Sequence, residues 1–256
     1  MAVTGGRELA GVSVLVTRDE SELHNGGLTA RIKAAGGRAV AAPTVVIAAV
    51  GPAPPAVAAL ARCEIAVFVS RNAVRHGAPL LPRLPGGAAL TLAAVGPATA
   101  AALQKAAGAT VTHPRNAGGS GALLAMPLMQ TVRGRRITVV RGAGGLAEPA
   151  RTLRRRGAVV HVLNCYRRRA PQIDLAPLLT GAGAPAVVTV TSAAHARNLH
   201  ALAGAAGRAA LRGMHFVAPS ERVAACCRAL GAAKVTVAEG AGAAAMMRAL
   251  CYISPL

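Results

Sequence analysis

Ile65-Ala66-Val67-Phe68-Val69-Ser70-Arg71-Asn72-Ala73 is the stretch on which the fold turns. Five apolar residues, three of them β-branched, run directly into a serine. A short continuous apolar run reads as a strand covered on both faces, as in a parallel sheet. A serine just after it is the residue that caps a following helix by accepting a backbone N–H bond. The pattern recurs as Thr191-Ser192-Ala193-Ala194 after the apolar run Ala186–Thr191. Two more pairs follow: Val95-Gly96-Pro97-Ala98-Thr99 with Val217-Ala218-Pro219-Ser220-Glu221, and Gly118-Gly119-Ser120-Gly121 with Gly240-Ala241-Gly242-Ala243. Ser70 to Ser192, Pro97 to Pro219 and Gly118 to Gly240 share one offset of 122 residues. Three anchors at one offset predict an internal repeat.

Outward from these anchors, strand candidates alternate with Ala/Leu-rich helical stretches. They are Val12–Thr17, Arg38–Ala41, Ile65–Val69, Leu90–Val95, Thr110–His113, Arg136–Val140, Ala158–Leu163, Ala186–Thr191, Met214–Ala218 and Lys234–Ala238. Each lies about one helix from the next, so right-handed βαβ crossovers connect them. The fold class is α/β: two similar domains, each a parallel sheet of about five strands flanked by helices.

Aromatic residues make up 2% of the chain, so the cores must be built from small aliphatic side chains. The formal net charge is +20, and only Lys33, Lys105 and Lys234 are lysines. A biased Ala/Gly/Arg composition accounts for part of that excess. A functional account is an acidic partner, because arginine forks onto carboxylate or phosphate bidentately. Nucleic acid is disfavoured, since single-strand binders stack bases on aromatic platforms and Phe68, Phe216, Tyr166 and Tyr252 form no such motif. The runs Arg154-Arg155-Arg156 and Arg167-Arg168-Arg169 read as solvated edges. Five cysteines without a C-x-x-C signal neither a disulfide framework nor a zinc site. The uncharged stretch 39–61 is long enough to span a bilayer, but Pro43, Pro52, Pro54 and Pro55 break it into a strand, a turn and a helix start. No apolar signal run opens the chain, and a cytoplasmic location without membrane association is expected.

Gly142-Ala143-Gly144-Gly145-Leu146-Ala147 fits the dinucleotide fingerprint, but no acidic residue ends the next strand to hold a ribose. P-loop, nucleophile-elbow and metalloprotease motifs are missing, and nine acidic residues supply little acid/base or metal chemistry. The histidines, His24 and His195 among them, are scattered and read as solvent-facing or capped. No cofactor and no metal are therefore expected. The junctions themselves hold the chemistry. Where a strand ends and a helix begins at the carboxyl edge of a sheet, hydroxyls and unpaired N–H groups receive anions; ordinary capping is the competing explanation for any one of them. Six such junctions on facing sheets predict a cleft for a small polyanion.

The ordered segments Val14-Leu15-Val16-Thr17-Arg18, Ser70-Arg71-Asn72-Ala73-Val74, Val95-Gly96-Pro97-Ala98-Thr99-Ala100, Val139-Val140-Arg141-Gly142, Cys165-Tyr166-Arg167-Arg168, Val190-Thr191-Ser192 and Ala218-Pro219-Ser220 resemble the uroporphyrinogen-III synthase family from about Val12 to Leu250. The resemblance implies two α/β domains joined by a two-stranded linker, with the chain starting in one domain, building the second, and returning. The expected bounds are 1–42 plus 169–256 for the discontinuous domain, 45–165 for the inserted one, and linker strands near 42–48 and 162–168. It implies a monomer acting on hydroxymethylbilane, a linear tetrapyrrole with eight carboxylates, with the upstream hydroxymethylbilane synthase as a further partner. The reaction is loss of the terminal hydroxyl as water and ring closure with inversion of the last pyrrole, in tetrapyrrole biosynthesis. Tyr166 matches the family tyrosine that hydrogen-bonds the departing hydroxyl. Thr17, Arg18, Ser70, Asn72, Gly96, Thr99, Asn116, Ser120, Arg141, Thr191, Ser192 and Ser220 would line the cleft. Two departures stand out: Ala218-Pro219-Ser220-Glu221 replaces Gly-Pro-Thr-Thr, and Leu146 stands where an arginine is usual. A competing assignment is a non-catalytic two-lobed binder of an acidic small molecule.

Overall fold

Residues 8–18, 27–81, 90–115, 118–145 and 147–253 are described by the structure, a computed structural model. His24, Asn116 and Leu146 lie outside them. Strands in chain order are β1 (Ser13–Val16), β2 (Arg38–Ala41), β3 (Val46–Ala49), β4 (Ile65–Phe68), β5 (Thr91–Ala94), β6 (Val111–Thr112), β7 (Arg136–Gly142), β8 (Val159–Arg169), β9 (Val187–Thr189), β10 (His215–Ala218) and β11 (Lys234–Val237). Every strand expected from the sequence forms; the inner ones are short apolar runs that are largely buried, whereas β2 and β11 are edge strands with exposed ends. The chain folds into two compact units, one of Met1–Val46 with Arg169–Leu256, the other of Ile47–Arg168.

The first unit holds a sheet in the order β11-β10-β9-β1-β2, the second a sheet in the order β3-β8-β7-β4-β5-β6. The pairings of β1 with β2 and β9, and of β10 with β9 and β11, are parallel. So are those of β4 with β5 and β7, β5 with β6, and β7 with β8. Laid side by side, β6-β5-β4-β7-β8 repeats β11-β10-β9-β1-β2. The 122-residue offset is the trace of that shared order: Ser70 and Ser192 follow the equivalent strands β4 and β9.

Alternation along the strands divides each core in two. In the second unit Ala66, Phe68 and Val140 pack on one face and Ile65, Val67, Ile137 and Val139 on the other. In the first, Leu15, Val188 and Phe216 oppose Val14, Val16, Val187 and Val217. Both faces of the central strands are buried, so β1, β4 and β9 carry no exposed polar alternation.

The fifth strand expected at Ala158–Leu163 and the linker strand expected near 162–168 are one strand, β8, 11 residues long. β3 lies beside it at the sheet edge, and the Val50 amide donates to the Cys165 carbonyl at 3.1 Å. Nothing between Leu163 and Asn164 interrupts pairing with β7, so the chain has no reason to break there. The uncharged stretch 39–61 becomes β2, β3 and the helix Pro54–Ala61. Among the described residues no helix is long and apolar enough to cross a membrane.

The expectation of solvated edges holds for the exposed Arg167, Arg168 and Arg169, while in the other run two arginines also bind backbone. Arg156 donates to the Leu124 and Met129 carbonyls at 2.7 and 2.8 Å, and Arg154 to the Val160 carbonyl at 2.8 Å. They close backbone acceptors left open by the neighbouring helices and strand, which bulky forked donors reach from a helix end.

Candidate functional site

In the second unit the chemistry gathers at the carboxyl ends of β4, β7 and β8. Ser70 caps the helix Arg71–Gly77 in extended geometry, its Oγ accepting the Ala73 N–H at 3.0 Å. The same Oγ lies 3.1 Å from the Tyr166 hydroxyl, and either oxygen can donate. Tyr166 is only 2% exposed and belongs to the core that includes Phe68 and Val140. Its ring is 5.9 Å from that of His76 and carries the Arg168 guanidinium 5.5 Å above its centroid. Cation–π attraction of that kind steadies the ring. Partial burial, with Arg75 beside it, lowers the His76 pKa from its ordinary value, which favours the neutral imidazole beside the tyrosine. Burial pushes the neighbouring Cys165 thiol up to about 11; it stays protonated at neutral pH and is no nucleophile.

Arg141, on β7, donates to the Asn164 side chain at 3.3 Å and to the Gly145 carbonyl at 3.0 Å. It braces the β7 end and the glycine turn. Gly96 and Gly118 come together: a Cβ on Gly96 would lie 3.2 Å from the Gly118 Cα, and the Gly119 amide donates to the Val95 carbonyl at 2.8 Å. Gly119 has φ +105 just before Ser120 opens its helix, a conformation that favours glycine. Asn72 is half-buried in the helix that Ser70 caps, and Thr99 is buried in the helix Pro97–Ala107.

The first unit carries a second group. Ser192 caps the helix Ala193–Leu202, accepting the His195 N–H at 3.3 Å. The Thr191 hydroxyl lies 2.9 Å from His195 Nδ1. Asn198 donates to the Thr44 carbonyl at 2.8 Å, and the Thr44 hydroxyl, fully buried, reaches the His195 carbonyl at 3.4 Å. The Thr17 hydroxyl is committed within the sheet: it is buried and donates to the Thr189 carbonyl at 2.8 Å. Arg18 follows it, half-buried. Ser220 precedes the helix Glu221–Ala229 in the same extended geometry as the other two serines, yet makes no side-chain cap bond. Glu221 pairs with Arg228 of its own helix and is largely exposed, which offsets the charge that departs from the usual motif.

Thr44 and Asn198 were not singled out from the sequence, and His195 was read there only as solvent-facing or capped. The available signal was position: His195 is four residues after Thr191, one helical turn away. Gly142 was noticed for a cofactor motif and not for the tyrosine it faces. Among the described residues no three His, Cys, Asp or Glu side chains converge to hold a metal ion.

These features define a class: a two-unit, parallel-sheet α/β protein whose hydroxyl- and glycine-rich strand ends offer hydrogen-bond donors. A family model described as uroporphyrinogen-III synthase HemD matches residues 27–248. The uroporphyrinogen-III synthase of Escherichia coli K12 is 32% identical over 203 residues, covering 75% of this chain and 80% of that relative. The uroporphyrinogen-III synthetase structure from Helicobacter pylori 26695 superposes with a TM-score of 0.61 at 12% identity, over 94% of this chain and 99% of that one. A mutant uroporphyrinogen III synthase from the extreme thermophile Thermus thermophilus gives 0.55 at 22% identity, over 94% and 97%. At those identities the two structures speak for the fold alone. The chain belongs to the uroporphyrinogen-III synthase family.

Proposed function

We propose that this chain is a hydro-lyase that cyclises hydroxymethylbilane to uroporphyrinogen III. The C–O bond of the terminal hydroxymethyl group breaks, water leaves, and the ring closes with the last pyrrole inverted. The pyrrole nitrogen's electrons drive out the hydroxyl, so the protein supplies a hydrogen bond to the leaving oxygen and holds the chain in the inverting shape. Tyr166 provides that hydrogen bond. The half-buried Ser70 hydroxyl, 3.1 Å away, is the group through which the buried phenol meets the substrate side. Acetate and propionate arms are received by Ser70, Asn72, the Gly96 backbone, Asn116, Ser120 and Arg141 in one unit. In the other they are received by Arg18, Thr191, Ser192 and Ser220, while Thr17 and Thr99 shape the wall.

The observation that carries the proposal is the Tyr166–Ser70 hydrogen bond at the β4 and β8 ends, in a chain whose family match runs over residues 27–248. The excess of arginine suits a substrate with eight carboxylates. A bilane that closes unaided to the wrong isomer must be received promptly. The chain therefore acts in the cytoplasm, as a monomer, beside hydroxymethylbilane synthase. The test supplies freshly made hydroxymethylbilane and separates type I from type III uroporphyrin after oxidation. Predominant type III is expected; a mixture equal to the protein-free control would reject the enzyme.

A further inference from the structure

β7 and β8 pair in register up to Arg141 opposite Asn164, and then slip: Gly142 stands opposite Tyr166. Cys165 is the extra residue, a β-bulge between parallel strands, where bulges are rare. Its consequence is a change of face. Val160 and the half-buried Val162 pack into one core layer, and Leu163 and Cys165 into the other. Strict alternation would send Tyr166 back to the layer of Val160 and Val162. It lies instead with Leu163 and Cys165, on the face of the helix Arg71–Gly77, next to Ser70 and His76.

The place that the ring takes there exists only because residue 142 has no side chain. A Cβ on Gly142 would stand 2.5 Å from Tyr166 Cζ, 2.6 Å from Cε2 and 3.0 Å from the hydroxyl oxygen. These atoms belong to a rigid ring buried in the core, not to a flexible surface chain. The Tyr166 carbonyl is tied to the Ala143 amide at 2.7 Å, so the backbone does not yield easily. We infer that the bulge at Cys165 and the bare backbone of Gly142 are the positioning device for the reacting tyrosine: the first turns it toward Ser70, the second admits its ring. The inference rests on the role proposed above for Tyr166. It gives the first glycine of Gly142-Ala143-Gly144-Gly145 a purpose unrelated to phosphate binding.

The chain has no tryptophan and two tyrosines, and Tyr252 is 85% exposed. In a Tyr252→Phe background, Tyr166 alone reports by absorbance and emission. Gly142→Ala in that background is expected to shift the Tyr166 spectrum. It should lower kcat by about 10²-fold, the cost of a misplacement near 1 Å, with KM changed less than about threefold. Gly51→Ala, a glycine with open space around it in the same unit, should change neither. Gly142→Ala combined with Tyr166→Phe should be no slower than Tyr166→Phe alone, because the glycine acts through the hydroxyl. Should Gly142→Ala alone fail to fold, adding Tyr166→Leu restores folding, since leucine ends short of the crowded ring atoms. A double variant that stays unfolded, while Tyr166→Leu alone folds, overturns the seating. So does a Gly142→Ala enzyme with unchanged spectrum and kcat. A Tyr166→Phe enzyme with full turnover would instead overturn the catalytic reading of Tyr166, a failure that the spectra tell apart.

Discussion

Ser70 and Ser192 occupy the same place in two copies of one design. Each follows the equivalent central strand, with backbone angles of −168/164 and −159/162, and each accepts the N–H of the residue three positions on. Past that point the two copies diverge. In the second unit the third residue is Ala73, small enough to leave room, and the serine oxygen meets the hydroxyl of Tyr166 from the far end of β8. In the first unit the third residue is His195, whose ring takes the Thr191 hydroxyl at 2.9 Å, while Asn198 ties the helix to Thr44. One duplicated cap thus serves a buried phenol in one copy and a half-buried network of hydroxyl, imidazole and amide in the other. Backbone geometry is inherited by both; the chemistry is set by what the neighbouring strand end brings.

That contrast can be broken or sharpened experimentally. The largest effect is expected in the cores. Phe68 and Phe216, the chain's two phenylalanines, are buried one in each unit. Replacing either by alanine should cost about 3–5 kcal/mol, read from denaturant midpoints. A negligible cost at one of them would mean that the two cores are not equivalent. Tyr166→Phe comes next: turnover to the type III isomer should fall roughly 10²-fold, about 2.7 kcal/mol of barrier, with the thermal transition intact. Normal turnover would remove the chemical distinction between the copies.

Ser70→Ala and Ser192→Ala should each cost about 1 kcal/mol of stability as lost caps. Only Ser70→Ala should change the Tyr166 spectrum; equal spectra in both variants would contradict the 3.1 Å contact. The smallest effect is acid sensitivity. Partial burial holds the pKa values of His76, His200 and His215 below the ordinary 6.5. The unfolded chain then binds protons first as pH falls through that value, so stability present above it is lost on acidification. The melting temperature should drop between roughly pH 7.5 and 5.5, with hydrogen exchange rising more in the first unit, which holds two of the three. A flat profile would show that the unfolded chain holds these histidines as the fold does.

What the amino-acid order determined by itself was local. Apolar runs such as Ile65–Phe68, short and ending in a capping serine, read as strands covered on both faces. Serine, proline and glycine after them set caps and turns, and the 122-residue offset declared the duplication. Those signals depend on neighbours within a few residues, or on their repetition, and they were legible. Long-range pairing decided the rest. Thr17 reads as a ligand-facing hydroxyl until the β1–β9 pairing hands it the Thr189 carbonyl. Arg156 reads as solvated until the helix residues Leu124 and Met129 offer it their carbonyls. The face that Tyr166 occupies turns on one extra residue in β8 and one missing Cβ in β7. Side-chain parity in a strand is relative to a partner strand, and no property of either segment alone contains the register between them.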